Sequence, residues 1–146
     1  MLGLAVLEAL SRREGDINFD VTHFDWGTDY YKKYGAMMPS DGLAQLKSFD
    51  AIYFGAVGAP DIPDHITLWG LRLQICQSFD QYANVRPTKI IDGVESPLRN
   101  AQPGDLDWVI VRENSEGEYA GNGGRVHEGM PEEVGTEVAI FTRIGV

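Results

Sequence analysis

The chain has 146 residues, 43% of them hydrophobic, which is enough for one folded domain with a core. Twelve basic and 22 acidic residues give a formal net charge of -10, so binding to nucleic acid or to an anionic membrane is disfavoured. A single cysteine excludes an internal disulfide and a multi-cysteine zinc site, and we expect a cytoplasmic protein. No apolar run in the sequence is long enough to cross a bilayer.

The first third of the chain has patterns typical of helices and strands in alternation. Leu2, Val6, Ala9 and Leu10 recur at helical spacing, which predicts a helix that stops between residues 11 and 15. Alternation of apolar and polar residues predicts a half-buried strand at 17–23.

Three further elements are predicted before residue 60. Tyrosines spaced by one and four residues within 26–39 predict a short helix whose rings point inward. Asp41 is a candidate cap for a helix over 43–47, and the run at 50–55 predicts another strand. A glycine-containing loop follows that strand, and a plain turn is its simplest interpretation.

A longer helix is predicted from Thr67, a candidate N-cap, to about Ala83. Its apolar residues recur at spacings of three and four, namely Leu68, Leu71, Ile75, Phe79 and Tyr82. Arg72 and Cys76 are four residues apart on the flank of this stripe, which predicts nearly the same face for both. Pro87 forces Arg86 into an extended conformation, and a strand is predicted at 88–91.

The segment from Asp107 to Gly121 contains the strongest signal for chemistry. Residues 108–111 form an apolar run that predicts a buried strand, and Arg112 follows it directly. Ligands of open α/β sheets bind at the carboxyl ends of strands, so Arg112 is placed to meet an anionic substrate near Tyr119. The alternative is an arginine paired with a surface carboxylate and a tyrosine half-buried in a hairpin.

Beyond Tyr119, glycines at 121–124 predict a tight turn. Residues 125–133 have few periodic apolar positions, and a final strand is predicted within 137–143.

Four segments resemble the β-decarboxylating dehydrogenases. They are, in chain order, F-D-W-G-T-D-Y-Y-K-K-Y-G-A-M-M-P, P-D-H-I-T-L-W-G-L, S-F-D-Q-Y-A-N-V-R-P and V-I-V-R-E-N-S-E-G-E-Y. The likeness covers almost the whole chain in order. Within the family, the second segment and the start of the first are most similar to the members that act on tartrate and D-malate.

The resemblance implies an NAD-dependent enzyme that needs Mg²⁺ or Mn²⁺, oxidises a 2-hydroxy diacid and then releases CO₂. By position it implies that Arg86 and Arg112 hold the substrate carboxylates and that Tyr119 protonates the enolate. Trp69 is expected to contact the cofactor, close to the part of the substrate that differs between family members. Arginine suits its role because a guanidinium forms two parallel hydrogen bonds to a carboxylate and keeps its charge.

The chain departs from the family pattern at Cys76. The family has a further arginine ten positions before the equivalent of Arg86, and Cys76 stands there in this chain. Either Arg72, one helical turn earlier, reaches the same carboxylate, or one contact worth about 1.5–3 kcal/mol is missing. We include Arg72 among the predicted substrate-binding residues and interpret Cys76 as a small buried thiol.

The resemblance further implies an α/β fold of the isopropylmalate dehydrogenase type over residues 1–146. We expect a partial fold that lacks the first strand and the C-terminal portion, where the family has its catalytic lysine and metal-binding aspartates. No metal ligand is therefore assigned, and the chain alone is predicted to be inactive. The region 114–136 is expected to be a subunit arm of a homodimer.

Two alternatives stay open at this stage. The chain could come from an isopropylmalate or isocitrate dehydrogenase, or from a non-catalytic or regulatory relative that keeps the fold and the arm. The first alternative depends on the surroundings of Trp69, and the second is motivated by Cys76 in place of an arginine.

Overall fold

The structure, a computed structural model, describes residues 2–145, so Met1 and Val146 of the predicted domain lie outside the described residues. The elements are α1 Leu2–Glu14, α2 Thr28–Tyr34, α3 Gly42–Leu46, α4 Asp64–Thr67, a π turn Leu68–Arg72, α5 Leu73–Ser78, β1 Ala83–Lys89, β2 Asp107–Glu113, β3 Gly117–Val126 and β4 Val134–Ile140. The strands form two antiparallel ribbons, β1 with β2 and β3 with β4. Across residues 2–145, no helix is both long and apolar enough to span a membrane.

Helix α1 forms where its periodicity predicts, and none of its residues is buried. Leu2 is 90% exposed and Val6 is also exposed. Leu4 and Leu7 instead line a groove that the segment containing Phe19 closes on its other side. The periodicity predicts the helix, whereas the side chains that become covered depend on a tertiary contact that it does not encode.

The strands predicted at 17–23 and 50–55 are absent. Neither segment is paired with a neighbouring strand. A strand is completed by hydrogen bonds to a neighbour, whereas alternation of side chains records only a preference for a half-buried, pleated surface. The two predictions are therefore wrong for this chain.

The hydrophobic core lies between α3 and the π turn with α5. Its buried members are Met37, Met38, Leu46, Leu71 and Ile75. Tyr31 of α2 packs against this cluster, as predicted, whereas Tyr34 is mostly exposed and makes a tilted ring contact with Tyr30, with ring centroids 4.5 Å apart. The inward orientation of the tyrosines is thus confirmed only in part.

The long helix predicted from Thr67 to Ala83 is interrupted and shorter. Thr67 is the last residue of α4, and its Oγ1 donates to the Asp64 carbonyl oxygen at 3.1 Å, so its assignment as an N-cap is wrong. The π turn follows, and α5 ends at Ser78, where the left-handed conformation of Asp80 (φ 51°) turns the chain into β1. Single π turns of this kind recur at functional sites.

One face of the ribbon of β1 and β2 carries two arginines together with Trp108 and Ile110, and the other face is mainly valine. Arg86 is extended, as Pro87 requires, although the strand begins at Ala83 and not at residue 88. Val85 pairs with Val111 and Pro87 with Val109, which puts these four side chains on the face opposite Arg86. The expectation of a buried β2 is wrong, since Val109 and Val111 are 64% and 67% exposed.

The second ribbon is a long hairpin. The glycines at 121–124 lie inside β3, so the predicted tight turn is wrong, and the chain reverses between Val126 and Val134. An ion pair of 2.8 Å between Arg125 and Glu133 closes the reversal. The final strand forms as β4, three residues earlier than predicted, and is exposed along its whole length.

Candidate functional site

Arg112, the last residue but one of β2, is at the centre of the polar cluster. Its Nη1 donates to the Tyr119 hydroxyl at 2.5 Å, and its Nη2 forms an ion pair with the Glu118 carboxylate at 2.8 Å. The hydrogen bond with Tyr119, assisted by the nearby negative charge of Glu118, raises the pKa of Arg112 above its usual value. Arg112 therefore remains a cation, as an anion site requires.

Arg72 reaches the same cluster from the end of the π turn. Its guanidinium donates to the side-chain oxygen of Asn114, just beyond the end of β2. Its Cζ lies 5.5 Å from the centroid of the Tyr119 ring, and that of Arg112 lies 5.1 Å away. Two guanidinium groups from different elements are thus within cation–π distance of one phenol ring.

Arg86 joins the cluster through the strand register. Asn84 stands directly opposite Arg112, and Arg86 is two residues further along β1 on the same face. The Arg86 Nε donates to the Asn84 Oδ1 at 3.1 Å. Diagonal neighbours in an antiparallel pair are about 7–8 Å apart at Cα, within the reach of two arginine side chains toward one small diacid.

Hydrogen bonds fix both the turn at 114–116 and the start of β3, which carries Tyr119. The Gln77 side-chain amide of α5 donates to the Tyr119 carbonyl oxygen at 2.8 Å. One oxygen of Glu113 accepts from the N–H groups of Asn114, Ser115 and Glu116 at 2.8–2.9 Å. The hydrogen bonds from Ser115 and Glu116, in that order, lower the pKa of Glu113.

Two other predicted positions lie outside this cluster. Trp69 is 37% exposed and packs on the backbone of β3, where a Cβ at Gly121 would stand 2.7 Å from its ring. The Cys76 thiol is free and buried, as predicted. Among the predicted side chains, the structure therefore places Arg72 and Arg112 near the Tyr119 ring, with a hydrogen bond only from Arg112. Arg86 is linked to Arg72 through Asn84 and Asn114.

The comparison with known sequences identifies the family. The sequence profile described as isocitrate/isopropylmalate dehydrogenase matches residues 2–146. The chain belongs to this family. Its predicted resemblance to the decarboxylating dehydrogenases is thereby confirmed.

Individual relatives are named for two related reactions. A probable tartrate dehydrogenase/decarboxylase of Agrobacterium vitis is 76% identical over 144 residues, which are 99% of this chain and 40% of the relative. The decarboxylating D-malate dehydrogenase of Escherichia coli K12 is 50% identical, with the same two shares covered. The chain therefore spans about 40% of the length of these curated relatives.

A solved structure of the family supports the fold. Isocitrate dehydrogenase from Methylococcus capsulatus superposes with a TM-score of 0.64 at 26% identity, over 82% of this chain and 33% of that one. The predicted isopropylmalate dehydrogenase-like α/β fold, present in part, is confirmed.

The metal ion that the resemblance implies does not find a complete site among the described residues. Within residues 2–145, no three His, Cys, Asp or Glu side chains come together in a group that could hold a metal ion. The loop after residue 54 is open at its glycines, since a Cβ at Gly55 or Gly58 would meet nothing within 4 Å.

The sequence did not predict the amide side chains that surround Arg112 and Tyr119 in the polar cluster. Asn84, Asn114 and Gln77 each hold a predicted site residue, yet none carries a charge that would single it out. The available signal was spacing: Asn84 is two residues before Arg86 and Asn114 two after Arg112, which puts each pair on one face of an extended strand.

Proposed function

We propose that this chain supplies the substrate-binding part of an NAD-dependent dehydrogenase that oxidises and decarboxylates tartrate or D-malate. The observation that carries the proposal is the convergence of Arg72 and Arg112 on Tyr119, with Arg86 on the same ribbon face as Arg112. The names of the two relatives support the choice of diacid.

In this proposal the arginines bind and orient the substrate. A four-carbon diacid carries two carboxylates, and guanidinium groups on different elements can each hold one of them bidentately. Fixing both ends of the substrate sets the orientation of the bond to the departing carboxylate, which is where positioning contributes most to the rate. The Glu118 carboxylate occupies one side of Arg112 and has to leave when the substrate carboxylate arrives.

Tyr119 is proposed to supply the proton that replaces the departing CO₂. Its oxygen accepts from Arg112, so the hydroxyl proton is free to point away from that bond, toward a bound substrate. A positioned acid of this kind contributes typically about 10²–10⁴-fold to rate. NAD and Mg²⁺ or Mn²⁺ stay predictions of the resemblance, and a cytoplasmic location stays a prediction from the single cysteine.

Turnover is tested in a chimera in which this chain replaces the matching 40% of the Agrobacterium vitis relative. NAD reduction is followed at 340 nm with tartrate, D-malate, isopropylmalate and isocitrate, and we expect the first two to be preferred. Preference for either of the others would support the isopropylmalate or isocitrate alternative. An inactive chimera that still binds diacids would support a non-catalytic relative, and the 146-residue chain alone is expected to show no NAD reduction.

Tyr119 is tested in the same chimera with Tyr119→Phe, which removes only the hydroxyl. We expect diacid affinity to change little and turnover to fall at least about a hundredfold, because the ring and its guanidinium neighbours remain. Tyr34→Phe, at a mostly exposed tyrosine of α2, is the matched control. Equal turnover in both variants would remove Tyr119 from the proposal.

We also propose that the hairpin of β3 and β4, which overlaps the predicted arm at 114–136, contacts a second subunit in a homodimer. Its support is the exposure of Val126, Val134 and Val138 along the hairpin. Sedimentation equilibrium of the chimera should show a dimer that Val138→Glu weakens. Val94→Glu, at an exposed loop position, should leave the dimer intact.

A further inference from the structure

Asn114 is one of only two buried polar residues within residues 2–145, and it is 6% exposed. Every hydrogen-bonding atom of its side chain faces a specific partner. The Oδ1 accepts from the Arg72 guanidinium and from the Asn84 Nδ2, the latter at 3.2 Å. The Nδ2 donates to the Gln81 carbonyl oxygen at 2.8 Å.

These partners leave one possible orientation for the amide. A rotation by 180° would place the NH₂ group against the Arg72 guanidinium, two donors face to face, and would place the oxygen against the carbonyl of Gln81. A buried donor or acceptor left without a partner costs about 1–3 kcal/mol. Asn114 therefore presents its oxygen to Arg72 and Asn84 in a fixed direction.

The position of this oxygen joins two arginines that come from different elements. Arg72 binds it directly from the end of the π turn, and Arg86 is linked to it through Asn84 of β1. Because an amide carries no net charge, it holds the Arg72 guanidinium in place without neutralising it. Arg112 differs in this respect, since the carboxylate of Glu118 offsets its charge.

We propose that Asn114 is a positioning residue that fixes the Arg72 guanidinium beside Tyr119 for binding one carboxylate of the diacid. This inference rests on the proposed function and adds to it the residue through which Arg72 acts. It also explains how an arginine four residues before Cys76 is held in the cluster while the cysteine itself stays in the core.

The test is a double-variant cycle on diacid binding to the 146-residue chain, measured by calorimetry with tartrate and D-malate. Asn114→Ala and Arg72→Gln are each expected to raise Kd by about tenfold, the loss expected for a hydrogen bond to a charged group. If Asn114 acts through Arg72, the Kd of the double variant should be raised by about tenfold, the same as for each single variant. Independent effects would multiply to about a hundredfold and would overturn the proposal, as would an unchanged Kd for Asn114→Ala.

Asn122→Ala is the matched control, because the exposed Asn122 amide donates only to the Ala120 carbonyl oxygen. Its Kd should equal that of the unaltered chain. If Asn114→Ala does not fold, as judged by circular dichroism, the cycle is run with Asn114→Leu, which keeps most of the side-chain volume but removes the acceptor. The same comparison of coupled with multiplied effects then decides the proposal.

A ligand-free measurement separates this inference from the proposed function. The ¹⁵N guanidinium signal of Arg72 should be distinct and slowly exchanging in the unaltered chain, and should become averaged in Asn114→Ala but not in Asn122→Ala. If the chain binds no diacid, the proposed function fails, whereas the behaviour of this signal still supports or overturns the placement of Arg72 by Asn114.

Discussion

Arg112 donates to a phenol on one side and to a carboxylate on the other, and only the carboxylate competes with an incoming anion. The Glu118 side chain is 53% exposed, and its ion pair with Arg112 is accordingly a weak one. Displacing it still costs some of the binding free energy that a diacid gains at Arg112.

Removing the charge of Glu118 should therefore tighten binding. We expect Glu118→Gln to lower the Kd for tartrate or D-malate by about two- to fivefold, the range for an exposed ion pair. Glu128→Gln, in the loop between β3 and β4, makes the same charge change away from the cluster and should have no such effect. A Kd that rises in Glu118→Gln would mean that Glu118 helps to bind the substrate.

Glu113 gives the turn before Tyr119 a defined response to pH. Its pKa in the folded chain is lowered from the ordinary value of 4.5 by the N–H groups that it accepts from. Between the lowered pKa of the folded state and the ordinary pKa of the unfolded state, the folded chain thus binds fewer protons than the unfolded chain. The contribution of Glu113 to the free energy of unfolding is therefore complete above pH 4.5 and is lost as the pH falls through the lowered pKa.

Comparison of the unaltered chain with Glu113→Gln tests this dependence. Their difference in free energy of unfolding should be constant above about pH 5.5 and should shrink on acidification below the ordinary pKa. Urea unfolding at a series of pH values measures it. A difference that grows toward low pH would contradict the assigned hydrogen bonds, and Glu132→Gln is the control at an exposed glutamate of the hairpin loop.

At the level of elements, glycine has two different roles in β3. A Cβ at Gly123 would collide with the Thr136 carbonyl oxygen of β4, whereas a Cβ at Gly124 would meet nothing within 4 Å. Neither residue has a positive φ. The requirement at Gly123 is therefore the close approach of two backbones and not an unusual conformation.

Alanine at these two neighbouring positions should have opposite effects. Gly123→Ala has to push the strands apart and should destabilise the chain by about 1–3 kcal/mol, as overpacking does. Gly124→Ala should be neutral or stabilising by about 0.4–1 kcal/mol, because it restricts the unfolded chain. Thermal unfolding of both variants measures the contrast, and equal effects would contradict the observed register.

The same glycines show where sequence reasoning reached its limit. Local sequence signals are sufficient to predict three features: strand β2, the extended Arg86 before Pro87, and the proximity of Arg112 to Tyr119. Each of these depends on a few consecutive residues. The segment 121–124 has the composition of a turn. Gly123 is nevertheless required by the close approach of the Thr136 backbone on the neighbouring strand β4. Asn114 was missed for the same reason, because its partners are 30–42 residues away in the chain.

On the scale of the whole molecule, the ribbon of β1 and β2 divides two kinds of surface. One face carries Arg86 and Arg112 of the candidate site, with Trp108 and Ile110 beside them. The opposite face carries Val85, Val109 and Val111, each at least 60% exposed. Contiguous apolar surface of this kind is uncommon on monomeric proteins and marks a face that another structure covers or that associates.

The isolated chain should therefore bind a dye that reports apolar surface and should self-associate with rising concentration, despite its net charge of -10. The double variant Val109→Lys, Val111→Lys should reduce both the dye fluorescence and the association seen by sedimentation velocity. Diacid affinity should change little, because both substitutions lie on the face away from Arg86 and Arg112. Val94→Lys, at an exposed valine of the loop before β2, controls for added charge. If the control lowers dye binding as much as the double variant does, the apolar face of the ribbon is not the source of the association.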